Sequence, residues 1–172
     1  VAETLTDGAI KFITENKEKP FFLYLAHYDV HAPIRAKEDV VEKYKKKLAE
    51  GEWNHKWNPT YAAMIEAFDK SVGRVRKTLD DLGLSENTLL IVSSDNGATG
   101  KTTSGPLKGA KGSLCEGVVR VPTVMYWPKI IKANTRNNTP ITSVDLLPTL
   151  ADLAGAPLPN EQPVDGESFV PL

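Results

Sequence analysis

No apolar run in this 172-residue chain approaches the length needed to span a bilayer, which excludes a helical membrane anchor within it. Cys115 is the single cysteine, so an intrachain disulfide and a multi-cysteine metal site are both excluded. Charge of either sign is not in excess: 21 Lys and Arg stand against 22 Asp and Glu, for a formal net charge of -1. That balance gives no global attraction to nucleic acid or to an anionic membrane. No Gly-x-x-x-x-Gly-Lys-Ser/Thr string is present, so a Walker-type phosphate loop is excluded as well. The chain also opens on Val1 without an initiator methionine or a signal peptide, and is expected to be a fragment or a processed product.

What is present fits one soluble domain with one core. Hydrophobic residues make up 41% and charged residues 25%, ordinary values for a globular chain long enough to bury most of its apolar surface. Leu5, Ala9, Ile10 and Ile13 recur at helical spacing over residues 4–16, and Lys17-Glu18-Lys19-Pro20 ends that pattern. The apolar run Phe21-Phe22-Leu23-Tyr24-Leu25-Ala26 then reads as a buried strand. A second helix is expected over residues 37–50, with Val40, Val41, Tyr44 and Leu48 on one face and Lys43, Lys45, Lys46 and Lys47 forming a solvated one. The strongest helical pattern follows Asn58-Pro59, an N-cap and a first-turn proline, and runs to Leu82 with Gly83 at the C′ position. Leu89-Leu90-Ile91-Val92 reads as a second buried strand and Thr123-Val124-Met125-Tyr126-Trp127 as a third; residues 145–153 look helical, and the proline-rich tail from Ala156 is expected to run over the surface. Alternating helices and strands of this kind point to a doubly wound or related α/β layer fold.

Chemistry concentrates where the strands stop. Asp95, Asn96 and Gly97 follow the second strand, and ligand sites in α/β sheets gather at the carboxyl ends of strands. Carboxylate and amide oxygens suit a hard cation such as calcium or magnesium, while the same tripeptide also makes a plain turn. His27 and His31 stand at the exit of the first strand, where they read either as functional groups or as hydrogen-bonded loop histidines. Residues 97–117 hold half of the chain's 12 glycines together with Lys101, Lys108 and Lys111, an irregular segment in which backbone can approach a ligand closely. Residues 51–58, with Trp53, His55 and Trp57, read as a surface loop that could line a cleft.

Taken in order, five segments resemble the sulfatase family of the alkaline-phosphatase-like superfamily over nearly the whole chain. They are the stretch from Pro20 to Pro33, the unit ending in Ser94-Asp95-Asn96-Gly97, the string from Leu107 through Lys111 to Arg120-Val121-Pro122, Val144-Asp145-Leu146-Leu147-Pro148-Thr149-Leu150, and Asp165-Gly166-Glu167-Ser168-Phe169. The resemblance implies an alkaline-phosphatase-like layered α/β fold with a mostly parallel central sheet flanked by helices, present over residues 1–172 as a partial domain. It implies a sulfuric ester hydrolase acting on a sulfated small molecule or carbohydrate, with sulfamates as a variant and no nucleic acid or membrane partner. Asp95 and Asn96 match calcium ligands, Lys111 a lysine that binds the sulfate group, and His31 a histidine that contacts the ester and protonates the leaving oxygen. His27 and Lys108 match as supporting residues. The same resemblance implies a periplasmic, secreted or lysosomal protein. It also implies a formylglycine nucleophile made from a Cys/Ser-x-Pro/Ala-x-Arg motif, and no such string occurs here; Cys115 leads into Glu116-Gly117-Val118-Val119-Arg120 instead. The family's first two aspartate ligands are also absent, so the nucleophile and half of the metal site are expected in an amino-terminal segment outside this chain, which alone should not turn over. A phosphodiesterase or phosphonate monoester hydrolase of the same superfamily and an inert structural piece are the alternative readings.

Overall fold

The strongest helical pattern becomes α3, Pro59–Asp81, in the computed structural model, which describes residues 1–51, 58–99, 105–159 and 161–172. Trp53, His55, Trp57 and Lys101 lie outside the described residues. Asn58 Oδ1 accepts from the backbone N–H groups of Thr60 and Tyr61 at 2.9 and 3.1 Å, closing the first turn that Pro59 pre-organises. At the other end Gly83 takes φ 69°, which a side chain would resist. Its N–H reaches Asp80 O at 3.0 Å while Leu84 N–H reaches Leu79 O at 2.8 Å, the paired bonds of a Schellman stop.

Helix α1, Ala2–Glu15, lies against α3. Ala9 and Ile13 meet Val75 and Leu79 in the buried cluster of this unit, and Ile13 is only 1% exposed. Thr6 touches Ser71, and Asp7 accepts from Arg74 at 2.6 Å, so contacts advance along both helices in the same sense and the two run parallel. Helix α2, Glu38–Ala49, also packs on α3. Glu66 joins them, accepting from Lys43 at 2.7 Å and Lys70 at 2.6 Å, and these two ammonium groups hold its carboxyl down at about 2. The lysine face of α2 is therefore partly ion-paired, since Lys45 also meets Glu42 at 2.6 Å.

The sheet departs from expectation. Strand β1, Leu90–Val92, pairs antiparallel with β2, Val124–Tyr126, in the register Leu90↔Tyr126, Ile91↔Met125 and Val92↔Val124. The mostly parallel central sheet is not formed among the described residues, where this two-stranded pair is the sheet. Residues 21–26 are extended but join no ladder among the described residues. Phe21, Leu23 and Leu25 pack on the α1–α3 cluster together with Leu90, and Phe12 meets Phe21 edge to face at 6.0 Å. Phe22 and Tyr24, on the opposite face, are 71% and 81% exposed. The run is thus half-buried where its composition led us to expect burial on both faces. Apolar composition drives a segment onto a helix layer, but the ladder needs a neighbouring strand.

The chain separates into two compact units, Val1–Ile131 and Lys132–Leu172. In the second, a short helical turn at Ser143–Asp145 leads into α5, Leu146–Ala154. The Asp145 carboxylate accepts from Thr142 N–H at 2.7 Å and Glu167 N–H at 3.0 Å, and Thr149 Oγ1 accepts from Phe169 N–H at 3.0 Å. These backbone donors hold the Asp145 carboxyl below its ordinary range. The tail is therefore tied to α5 by specific bonds.

Truncating the buried cluster should be costly. Ile13→Ala and Leu79→Ala are each expected to cost about 2–5 kcal/mol in urea unfolding, whereas Leu114→Ala, at a side chain 96% exposed, should stay within about 0.5 kcal/mol.

Candidate functional site

Backbone contacts build the exit of β1. Ser93 Oγ lies 2.9 Å from Thr123 Oγ1 at the entry to β2, and Ser94 Oγ donates to Asn96 O at 2.9 Å. Gly97 N–H then donates to Val118 O at 2.8 Å, in the short helix α4, Glu116–Val119. A Cβ on Gly97 would stand 2.0 Å from Gly117 O, so the two chain segments meet closer than any side chain permits. Gly117 N–H in turn donates to Lys108 O at 2.8 Å, and Lys111 N–H donates to Ala98 O at 2.9 Å. These three bonds lay the glycine-lysine segment along the Asp95-Asn96-Gly97 turn and bring the Lys111 backbone beside it.

The side chains at this exit remain available. Asp95 is exposed and Asn96 half-buried, and Lys108 and Lys111 are exposed. No ion pair among the described residues engages Asp95, Lys108 or Lys111. Nor do the described residues contain a group of three or more His, Cys, Asp and Glu that could hold a metal. The oxygens of Asp95 and Asn96 are nevertheless hard donors of the kind calcium takes, and two such ligands amount to part of a coordination shell of six to eight. Cys115 precedes α4 and is half-buried, in keeping with a small packing side chain.

The histidine exit is built differently. Because α1 and α3 are parallel and each is followed by a tight turn, the extended runs after them return alongside the helices toward their amino-terminal halves. Six residues of strand cover about 20 Å, enough to carry the chain from Phe21 back to His27 beside Ser71. His27 Nε2 lies 3.0 Å from Ser71 Oγ, Ser71 Oγ lies 2.6 Å from Thr6 Oγ1, and Thr6 Oγ1 lies 2.7 Å from Ala2 O. One assignment uses one proton per contact: Nε2–H donates to Ser71, Ser71 to Thr6 and Thr6 to the carbonyl. Nδ1 of His27 is then an acceptor, and it is buried without a partner, as is Asp29 Oδ2. Burial lowers the His27 pKa, and the Asp29 charge opposes that shift without overcoming it. His27 is thereby pinned into the scaffold, with Phe68 edge-on to its ring at 5.2 Å. Sequence reasoning took it as a loop histidine with a supporting role and did not single out Asp29, Ser71 or Thr6, whose meeting depends on helix packing.

His31 is exposed. Its N–H donates to Tyr28 O at 2.8 Å, and its Nδ1 lies 3.0 Å from Ala32 O. With Nδ1–H donating to that carbonyl, Nε2 is the ring nitrogen left to face a ligand. No hydrogen bond or ion pair among the described residues joins the side chains of His31, Asp95, Asn96 and Lys111 to one another. The two exits thus share no contact among the described residues, and each is built by its own set of backbone bonds.

The chain has clear relatives. The family model described as Sulfatase matches residues 2–156. The chain is 34% identical to the steryl-sulfatase of Homo sapiens over 182 residues, which takes in 100% of this chain and 29% of that protein. It is 36% identical to a sulfatase of Formosa agariphila, over 98% of this chain and 33% of that protein. Among solved structures, the crystal structure of Ps i-CgsB in complex with k-i-k-neocarrahexaose superposes with a TM-score of 0.89 at 36% identity, over 99% of this chain and 38% of that one. The chain thus spans about a third of the length of the curated relatives it matches.

Two outcomes test this geometry. The half-buried His27, whose pKa burial lowers, adds stability in full above its unfolded pKa of about 6.5, and that stability declines as pH falls below it; His27→Gln, which can still donate to Ser71, should flatten the fall in melting temperature below that pH. Gly97→Ala should separate the turn from α4, seen as faster amide exchange at Gly97 and Lys111 with the Ile13 region unchanged.

Proposed function

The chain belongs to the sulfatase family, and on that premise we propose that it is the part of a sulfate-ester hydrolase that grips the ester with Lys111 and His31 and half-builds a calcium site with Asp95 and Asn96. The single observation supporting this reading is the bond from Lys111 N–H to Ala98 O, which brings the Lys111 backbone beside the acceptor-rich turn. Structural kinship at a TM-score of 0.89 and 36% identity supports the same fold for the surrounding layer.

The roles follow from the charge that moves. A sulfate monoester is an anion, and its leaving oxygen gains negative charge as the S–O bond breaks. Lys111 would neutralise the sulfate oxygens, drawing on three donors and a mobile stem. His31, held by Ala32 O at Nδ1, would give the leaving oxygen the proton on Nε2, so its doubly protonated form is the acid. Calcium bound to Asp95 and Asn96 would supply positive charge to the substrate oxygens. The formylglycine nucleophile has no counterpart here, since no Cys/Ser-x-Pro/Ala-x-Arg string occurs in the sequence and Cys115 lies in the wrong context. We place the nucleophile and the other calcium ligands in further sequence of a polypeptide of the relatives' length, and this chain alone is then inactive.

Sulfated carbohydrate or a sulfated small molecule is the proposed substrate class. One relative is named for steryl sulfates, and one structural neighbour was crystallised with a neocarrahexaose, so the two relatives differ in the bulk attached to oxygen. The Asp95-Asn96 pair favours this reading over a two-metal phosphatase, because an amide oxygen in place of an imidazole suits a hard ion better than zinc.

In the polypeptide that carries this chain, Lys111→Ala and His31→Ala should each lower kcat for an aryl sulfate by about 100-fold or more, and Cys115→Ala should leave it unchanged. Faster hydrolysis of the matching aryl phosphate than of the sulfate would contradict the assignment.

A further inference from the structure

We infer that His27 and Ser71 are positioning residues for His31: the hydrogen bond between them holds the turn that presents His31 to the leaving oxygen. This rests on the proposed role of His31 as the acid. The first observation is the polarity of the place. The buried stripe of α1 reads Ala2, Thr6, Ala9 and Ile13, and that of α3 includes Ser71, Val75 and Leu79. Thr6 and Ser71 are each only 1% exposed, so two hydroxyl groups interrupt an apolar seam at the level of His27. Apolar side chains there would need no partners. His27 adds Nδ1 as a buried acceptor without a partner, and Asp29 adds Oδ2. A segment that only filled space would carry none of these groups, and such departures from apolar packing gather at functional sites.

The second observation is direction. The row runs from His27 Nε2 through Ser71 Oγ and Thr6 Oγ1 to Ala2 O, with contacts of 3.0, 2.6 and 2.7 Å. A carbonyl oxygen can only accept, so every contact has a proton of its own only when all the protons point toward Ala2 O. Thr6 thereby turns a lone pair to Ser71, Ser71 turns one to His27, and Nε2–H donates. The row selects one tautomer and one orientation of the His27 ring, a choice that edge-to-face packing on Phe68 at 5.2 Å does not make.

The third observation is place along the chain. Tyr28 follows His27 at once, and His31 N–H closes the turn on Tyr28 O at 2.8 Å. Beyond it, Ala32 O meets the ring of His31 itself, and no other hydrogen bond among the described residues ties the chain before Lys37, which reaches Glu3 at 2.5 Å. That ion pair is exposed and holds weakly. His27 is therefore the nearest buried hold on the turn. As the S–O bond breaks, its electron pair goes to the leaving oxygen and the proton on His31 Nε2 follows, leaving His31 neutral with Nδ1–H on Ala32 O. The transfer needs Nε2 within hydrogen-bond reach of that oxygen, so a loosened turn costs turnover most where the leaving group is poor.

Leaving-group dependence separates positioning from plain stability. In the polypeptide that carries this chain, kcat is measured on an alkyl sulfate, whose leaving oxygen needs the proton, and on para-nitrophenyl sulfate, whose leaving oxygen needs it least. His27→Leu should lower the ratio of the first to the second by about 10-fold or more, and should speed exchange of the His31 amide by a similar factor. Its melting temperature at about pH 8 should stay within about 3 °C of the unsubstituted protein's, because the same change removes the buried Nδ1. His27→Gln, which keeps a donor facing Ser71, should restore both the ratio and the exchange rate. An unchanged His31 amide in His27→Leu, or a His27→Gln variant no better than it, overturns the hydrogen bond as the hold. Faster exchange with an unchanged ratio overturns the link to the acid, as does an equal loss on both esters that follows a fall in melting temperature. His31→Ala tells the two readings apart. If it leaves the ratio as it was, His31 is not the acid, and the proposed function fails together with the positioning role. If it lowers the ratio and His27→Leu does not, the function stands and the positioning role alone falls.

Discussion

The close approach of Gly97 to Gly117 is the constraint on which the proposed site depends. A 2.0 Å gap between a notional Cβ and a carbonyl oxygen leaves no room for any side chain. Two glycines at that crossing let the strand exit and the short helix α4 exchange backbone hydrogen bonds directly. Once they do, Lys111 is fixed relative to Asp95 and Asn96 without any of the three side chains being used to hold the loop. A site that must bind a small anion and a cation needs that economy, because a lysine or carboxylate spent on loop structure is not free for a ligand.

The second support is the parallel pair α1 and α3. Their shared cluster of Ala9, Ile13, Val75 and Leu79 sets the direction in which the following runs return. Thr6 and Ser71 then catch His27 at the end of the first run, and the turn carrying His31 begins there. Packing far from any ligand thus decides where the exposed imidazole stands. His27 and His31, four residues apart, differ in setting: the first is half-buried and pinned by Ser71, the second exposed with Nδ1 beside Ala32 O.

Helices were legible in the sequence and the sheet was not. Asn58-Pro59 and Gly83 mark the ends of α3 because capping is local chemistry, and α1, α2 and α5 fall within a residue or two of the periodic pattern. The apolar runs announced strands correctly at residues 90–92 and 124–126, but no local signal says which strands become neighbours or whether they run antiparallel. Residues 21–26 show the same limit, being strand-like in every local respect and joining no ladder among the described residues. At the proposed site, Asp95, Asn96 and Lys111 were singled out by residue type and position, whereas the contacts of Ser71 with His27 and Thr6 join positions 44 and 65 residues apart and left no sequence mark.

Convergence of His31 and Lys111 on one sulfate group is the central claim, and a double-mutant cycle tests it most directly. In the longer polypeptide, kcat/KM for a single sulfate ester is measured for His31→Ala, Lys111→Ala and the pair. If both act on the same anion, the double variant should lose little more than the worse single variant, with a coupling of about 1–3 kcal/mol. Losses that simply multiply would mean that the two side chains act in separate places, and the site as described would not exist.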